Sequence, residues 1–192
     1  FGSNARPPDP ALVGGRWREI WQNRLTHNRP WLTDWLIHQR RDDYWKHGSV
    51  CEDYSAIQIP VYAIGGWADA YTNVVPQLLE NLVVPCKGLV GPWGHQYPHQ
   101  AFPGPAIGFL QEALRWWDHW LKDADNGIMD EPRYRVWLQT SAPAQANYDI
   151  RPGRWVAEPQ WPSSNIREQK FALNTSGLAV EAKTEQALTL SC

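Results

Sequence analysis

The chain has 192 residues, enough for an ordinary domain with a real core, and its 18 basic against 20 acidic side chains leave a formal net charge of -2. The longest basic run, Arg40-Arg41, is followed at once by Asp42-Asp43, a self-neutralising face, so nucleic acid is not an expected partner. No apolar stretch is long enough to cross a bilayer, no export leader is read at the start, and Cys51, Cys86 and Cys192 fit neither a disulfide framework nor a zinc site, so the default expectation is a cytoplasmic, reducing setting with no membrane, metal or cofactor.

Residues 1–15, rich in Pro, Gly and small polar side chains, read as loop. A helix follows, because Trp17, Ile20, Trp21 and Leu25 recur at helical spacing. A second starts near Pro30 and carries Trp31, Leu32, Trp35 and Leu36 at matching intervals, giving a hairpin of aromatic-faced helices. The 13 tryptophans of the chain are either core material or the lining of a pocket for an apolar substrate.

The character changes at Ala56. IQIPVYAIGGW is an uncharged run ending in Gly-Gly, the pattern of a strand buried on both faces of a parallel sheet. Val74, Leu78, Leu79 and Leu82 then repeat at helical spacing before Pro85, and KGLVGPW supplies a second buried strand. Strand, helix and strand within such a short span predict a βαβ crossover in a parallel sheet, with a site at the carboxyl ends of the two strands. Next comes the helix IGFLQEALRWWDHWLK, with Leu110, Ala113, Leu114, Trp117 and Leu121 on one face, ended by Asp125-Asn126-Gly127. From Arg133 the period becomes two, Tyr134, Val136 and Leu138 alternating with Arg135 and Trp137, and GRWVAE and EQKFALN read as further strands of an antiparallel β region.

The two loops at the expected site are Gly65-Gly66-Trp67-Ala68-Asp69-Ala70-Tyr71 and Gly91-Pro92-Trp93-Gly94-His95. A carboxylate and an imidazole brought together there form the acid and base of a catalytic triad, and Asp69 before His95 fits the chain order Ser, Asp, His of the α/β-hydrolases. Each residue also has a plainer reading: Asp69 as a helix cap or turn residue, His95 as a hydrogen-bonded loop histidine. His99 competes with His95, but Pro98 between them forbids a regular zinc-binding helix. A nucleophile is not evident. Ser3 and Ser49 lack the G-x-S-x-G pattern, and Cys86 sits at the start of a strand rather than on a strand-to-helix turn.

GGWADAY, GPWGH, WWDHWLK and GRWVAEPQWP together resemble the cocaine-esterase-like acyl hydrolases, a family that includes the X-Pro dipeptidyl-peptidases and α-amino-acid ester hydrolases. The resemblance implies an α/β fold: residues 1–55 as a helical cap segment, 56–128 as the C-terminal part of an α/β-hydrolase core, and 129–192 as the start of a β jelly roll. It further implies Asp69 as triad acid, His95 as triad base and Tyr71 as an aromatic lining the acyl pocket, with a small acyl ester or amide as substrate. The family's serine elbow and the tyrosine that helps hold its oxyanion have no counterpart in these residues. The expectation is therefore the C-terminal part of a longer enzyme, inactive by itself and, with an open sheet edge, poorly soluble. The alternative from another class is a non-catalytic module whose tryptophan-rich surface docks an aromatic or carbohydrate ligand.

Overall fold

The computed structural model describes residues 6–174 and 177–181. The chain divides into two compact units, Phe1–Asp53 and Tyr54–Cys192.

The first unit is helical. Helix α1 (Pro10–Val13) lies inside the segment expected to be loop. Proline suits the first helical position, where its missing N–H is no loss, and the Asp9 carboxylate accepts the Ala11 N–H at 2.8 Å, so cap chemistry overrides the loop-like composition. A 3-10 turn (Gly14–Arg16) leads into α2 (Trp17–His27), followed by α3 (Trp31–Ile37) and α4 (Asp43–Lys46). No residue of these helices is buried.

The second unit is built on a sheet of order β1-β2-β3-β4. Strand β1 (Val61–Gly66) runs parallel to β2 (Cys86–Gly91), which runs parallel to β3 (Tyr134–Gln139), and β4 (Gly153–Glu158) returns antiparallel to β3. Helix α5 (Val74–Asn81) makes the crossover from β1 to β2 expected from the hydrophobic pattern. A small ribbon, β5 (Ala172–Asn174) with β6 (Gly177–Ala179), follows; residues 182–192, the last part of the expected jelly roll, lie outside the described residues.

Side-chain alternation along the strands creates two apolar layers. Val75, Leu79 and Leu82, from α5 and the residue after it, pack with Ala63, Cys86 and Val90 on one face. Gly88 allows this approach, since a Cβ there would meet the Leu79 side chain. On the other face Leu89, Trp93 and Ala101 cluster with Tyr62 and Ile64, and Trp116 of α6 (Phe109–Lys122) lies against the Tyr62 ring, centroids 5.2 Å apart. The apolar stripe of α6 read from its period is real but faces outward: Leu110, Leu114, Trp117 and Leu121 are exposed, and the helix buries Trp116 instead. In β3 the expected alternation holds at Tyr134, which is buried, and at Val136, which packs against the same core, but at the next two positions Trp137 is buried and Leu138 exposed, because the indole of Trp137 packs against Trp155 of β4 and donates to the Arg151 carbonyl at 3.1 Å. No helix among the described residues is long and apolar enough to cross a bilayer.

Charged groups tie the second face together. Tyr62 donates from its hydroxyl to Glu112 at 2.5 Å, and Arg135 reaches both Glu112 and the Tyr62 oxygen. The ammonium of Lys87, buried in mid-strand, donates to the carbonyls of Ile128 and Glu131 at 2.5 and 3.2 Å, and burial holds its pKa below the ordinary lysine value. A lysine in a strand that is buried along its whole length is tolerated because its protons have these partners.

Candidate active site

Strands β1 and β2 are in register to their last residues, Gly66 opposite Gly91, so the loops leaving them start side by side at one edge of the sheet. They are then laced together. The Trp67 N–H donates to the Gly91 carbonyl and the Ala68 N–H to the Trp93 carbonyl, both at 2.9 Å. Glycine is required at both strand ends: a Cβ on Gly66 would run into the Trp93 backbone, and one on Gly91 into the Trp93 ring. Trp93 itself is buried, and its indole N–H donates to the Pro105 carbonyl at 2.8 Å.

This lacing brings Asp69 and His95, 26 residues apart in sequence, within 2.8 Å of one another, Oδ2 to Nδ1. The other carboxylate oxygen, Oδ1, accepts the Tyr71 N–H at 3.1 Å, which fixes the carboxylate plane. Both hydrogen bonds favour the charged form and hold the Asp69 pKa below the usual carboxylate value, the bond from His95 contributing most. An ionised carboxylate only accepts, so Nδ1 of His95 carries the proton of this bond, and in the neutral ring Nε2 keeps its lone pair. The Asp69 side chain is 15% exposed and that of His95 81% exposed, so the acid is sheltered and the base presented.

A cavity of about 640 Å³ opens beside the pair, lined among others by Tyr62, Ile64, Trp93, Tyr97 and Phe109 together with Asp69 and His95. Its walls are mainly aromatic and aliphatic. Tyr71 stands outside this lining, exposed, with its ring 6.2 Å from that of His95.

The other residues singled out in the sequence are not brought to this pair in the same way. His99 stacks on Phe109, planes 4° apart and centroids 5.9 Å, and no cluster of His, Cys, Asp or Glu among the described residues could hold a metal ion. Cys86 is buried at the opposite end of β2 from His95, and burial pushes its thiol pKa up, away from a reactive thiolate. Sequence reasoning missed two residues that shape the site: Tyr62, whose phenol forms part of the cavity wall, and Trp67, whose indole reaches Trp137. For Tyr62 the signal was present as a polar-tipped aromatic at an inward strand position; for Trp67 nothing local pointed to a partner 70 residues away.

Residues 3–97 match the family model for X-Pro dipeptidyl-peptidase (S15 family), and residues 126–191 match the X-Pro dipeptidyl-peptidase C-terminal non-catalytic domain. Over 127 residues the chain is 26% identical to proteins of Mycobacterium bovis and Mycobacterium tuberculosis named as candidate serine esterases, an alignment covering 62% of this chain and 18% of theirs. Among solved structures, a CocE/NonD family hydrolase from Staphylococcus aureus aligns with a TM-score of 0.59 at 16% identity, over 83% of this chain and 27% of that one. An aminopeptidase from a marine sediment Thaumarchaeota archaeon aligns with a TM-score of 0.55 at 19% identity, over 88% and 29%. The chain thus spans about a fifth of the length of the curated relatives it matches and under a third of these structures.

Proposed function

Because the chain belongs to the X-Pro dipeptidyl-peptidase and cocaine-esterase-like family of serine hydrolases, we propose that Asp69 and His95 are the acid and base of a Ser-His-Asp triad that cleaves a small acyl ester or amide. The observation that carries this reading is the 2.8 Å bond between Asp69 and His95, made across the ends of two neighbouring parallel strands and beside a cavity. In the reaction, Nε2 of His95 takes the proton of a serine hydroxyl as its oxygen attacks the substrate carbonyl. The imidazolium, steadied by the Asp69 carboxylate, then returns that proton to the leaving alkoxide or amine. Water, deprotonated by the same nitrogen, attacks the acyl-serine, and collapse of the second tetrahedral intermediate releases the carboxylic acid.

The serine lies outside these 192 residues, none of which forms a G-x-S-x-G elbow. The donors of the oxyanion hole are supplied with it, so the 192 residues alone are inactive. On this reading 1–55 is a helical cap segment, 56–128 the C-terminal part of the hydrolase core, and 129–192 the opening of a jelly roll. The outer edge of β1, which has no partner strand among the described residues, is where the sheet continues. Tyr71 borders the acyl or leaving group from outside the cavity.

The test uses the protein at the length its gene encodes, treated with a fluorophosphonate that phosphonylates only an activated serine. Stoichiometric labelling is expected, and His95→Ala is expected to abolish it. Labelling of the variant at the native rate would refute the assignment.

A further inference from the structure

The acid loop is held by more than its neighbour strand. Its backbone donates to Gly91 and Trp93 as described, but the indole N–H of Trp67, two residues before Asp69, crosses the end of β2 and donates to the carbonyl of Trp137 on β3 at 2.7 Å. Trp137 sits opposite Trp155 of β4, and their rings meet edge to face with centroids 5.3 Å apart. The Trp155 ring in turn lies 6.0 Å from that of Trp93, the buried residue two before His95. The β3–β4 hairpin therefore touches both loops, the acid loop through a hydrogen bond and the base loop through an aromatic contact. All of it falls within residues 126–191, the segment whose matching domain is described as non-catalytic.

We propose that the β3–β4 hairpin is a positioning element for the triad, with Trp67 the positioning residue that transmits it to Asp69. The inference rests on Asp69 and His95 being the acid and base. Its physical basis is that a loop following a strand end has few restraints of its own, and each fixed peptide close to Asp69 narrows the positions its carboxylate can take. Small displacements of a catalytic group are costly, a shift of about 1 Å lowering turnover by as much as about 100-fold. Trp67 is 40% exposed, so its ring supplies little of the core, and the directed N–H bond is its main structural contribution.

Trp67→Phe deletes that donor and keeps an aromatic ring. Trp45→Phe is the matched control, since the Trp45 indole also donates to a backbone carbonyl, that of His38 at 2.5 Å, in the other unit. In the protein at its gene-encoded length, Trp67→Phe is expected to lower kcat for an activated ester about tenfold with KM unchanged. It is also expected to weaken the low-field proton resonance of the His95 Nδ1–H···Asp69 bond, and Trp45→Phe to change neither. Trp155→Leu, which removes the ring against Trp93, should reproduce the kcat loss and serves if Trp67→Phe does not fold. Native kcat and a native His95 resonance in either folded variant would overturn the proposal while leaving the triad intact. Native kcat in Asp69→Asn would instead refute the triad, and the resonance would still report whether Trp67 holds the pair.

Discussion

Among the described residues two Asp–His pairs are nearly identical bond for bond, one in each unit. In the helical unit His38 Nδ1 lies 2.6 Å from Asp42 Oδ2, and Asp42 Oδ1 accepts the N–H of Tyr44, two residues on. In the sheet unit His95 Nδ1 lies 2.8 Å from Asp69 Oδ2, and Asp69 Oδ1 accepts the N–H of Tyr71, again two residues on. In both, the histidine bond is the main reason the aspartate pKa is depressed. What separates them is what surrounds the imidazole. His38 is four residues from Asp42, its ring lies flat on Tyr44 at 4.4 Å and 5°, and Asp42 caps α4, so this pair closes a local turn. His95 lies in the loop after a parallel strand, beside a cavity it helps to line, with its carboxylate partner brought from the loop after the neighbouring strand. An Asp–His hydrogen bond is thus common chemistry, and strand-end topology is what turns one of these two into a candidate site.

The contrast is sharpest in turnover. Asp69→Asn should lower kcat about 10⁴-fold, because an amide cannot hold the imidazole in the required tautomer, whereas Asp42→Asn should leave turnover at the native level. Equal losses, or none, in an ester assay of both variants would erase the distinction. Packing separates the units next. Gly66→Ala places a Cβ against the Trp93 backbone and should destabilise by about 1–3 kcal/mol, while Gly48→Ala meets nothing within 4 Å and should not. Denaturant midpoints read this directly, and equal midpoints would show that the two loops are not in close contact.

A smaller effect belongs to the helical unit. Asp42→Ala removes an N-cap and should cost about 1 kcal/mol of stability without altering the His95 resonances. The smallest is the acid titration that the pairs share. Each aspartate is depressed in the folded state, so its stabilising contribution is present above the ordinary value of 3.8 and is lost as pH falls through the lower folded value. Carboxyl carbon resonances of Asp42 and Asp69 should therefore titrate below 3.8. A midpoint at or above it for either residue would mean that its pair does not form.

Much of the sheet unit was legible because its signals are local. The uncharged run into Gly65-Gly66, the helical repeat from Val74 and the second apolar run to Gly91 point to a parallel crossover, and that crossover puts the loops of Asp69 and His95 at one sheet edge, where the two side chains can converge. What stayed hidden depends on distant partners. The outward stripe of α6 has the pattern of a core helix, and the contacts of Trp116 and Glu112 with Tyr62 show which face is packed. The inversion of Trp137 and Leu138 in β3 depends on the antiparallel return of β4, which brings Trp155 opposite Trp137. Helix α1 was missed for a different reason: Asp9 and Pro10 are a cap and a first-turn residue, but their proline-rich surroundings carry the composition of a loop.

The central claim is that Asp69 sets the proton on His95, and the nitrogen resonances of that ring in ¹⁵N-histidine-labelled protein test it most directly. In the neutral ring the account predicts a protonated Nδ1 and an unprotonated Nε2, a preference that Asp69→Asn removes. A neutral ring protonated at Nε2, or one unaffected by the substitution, would contradict it.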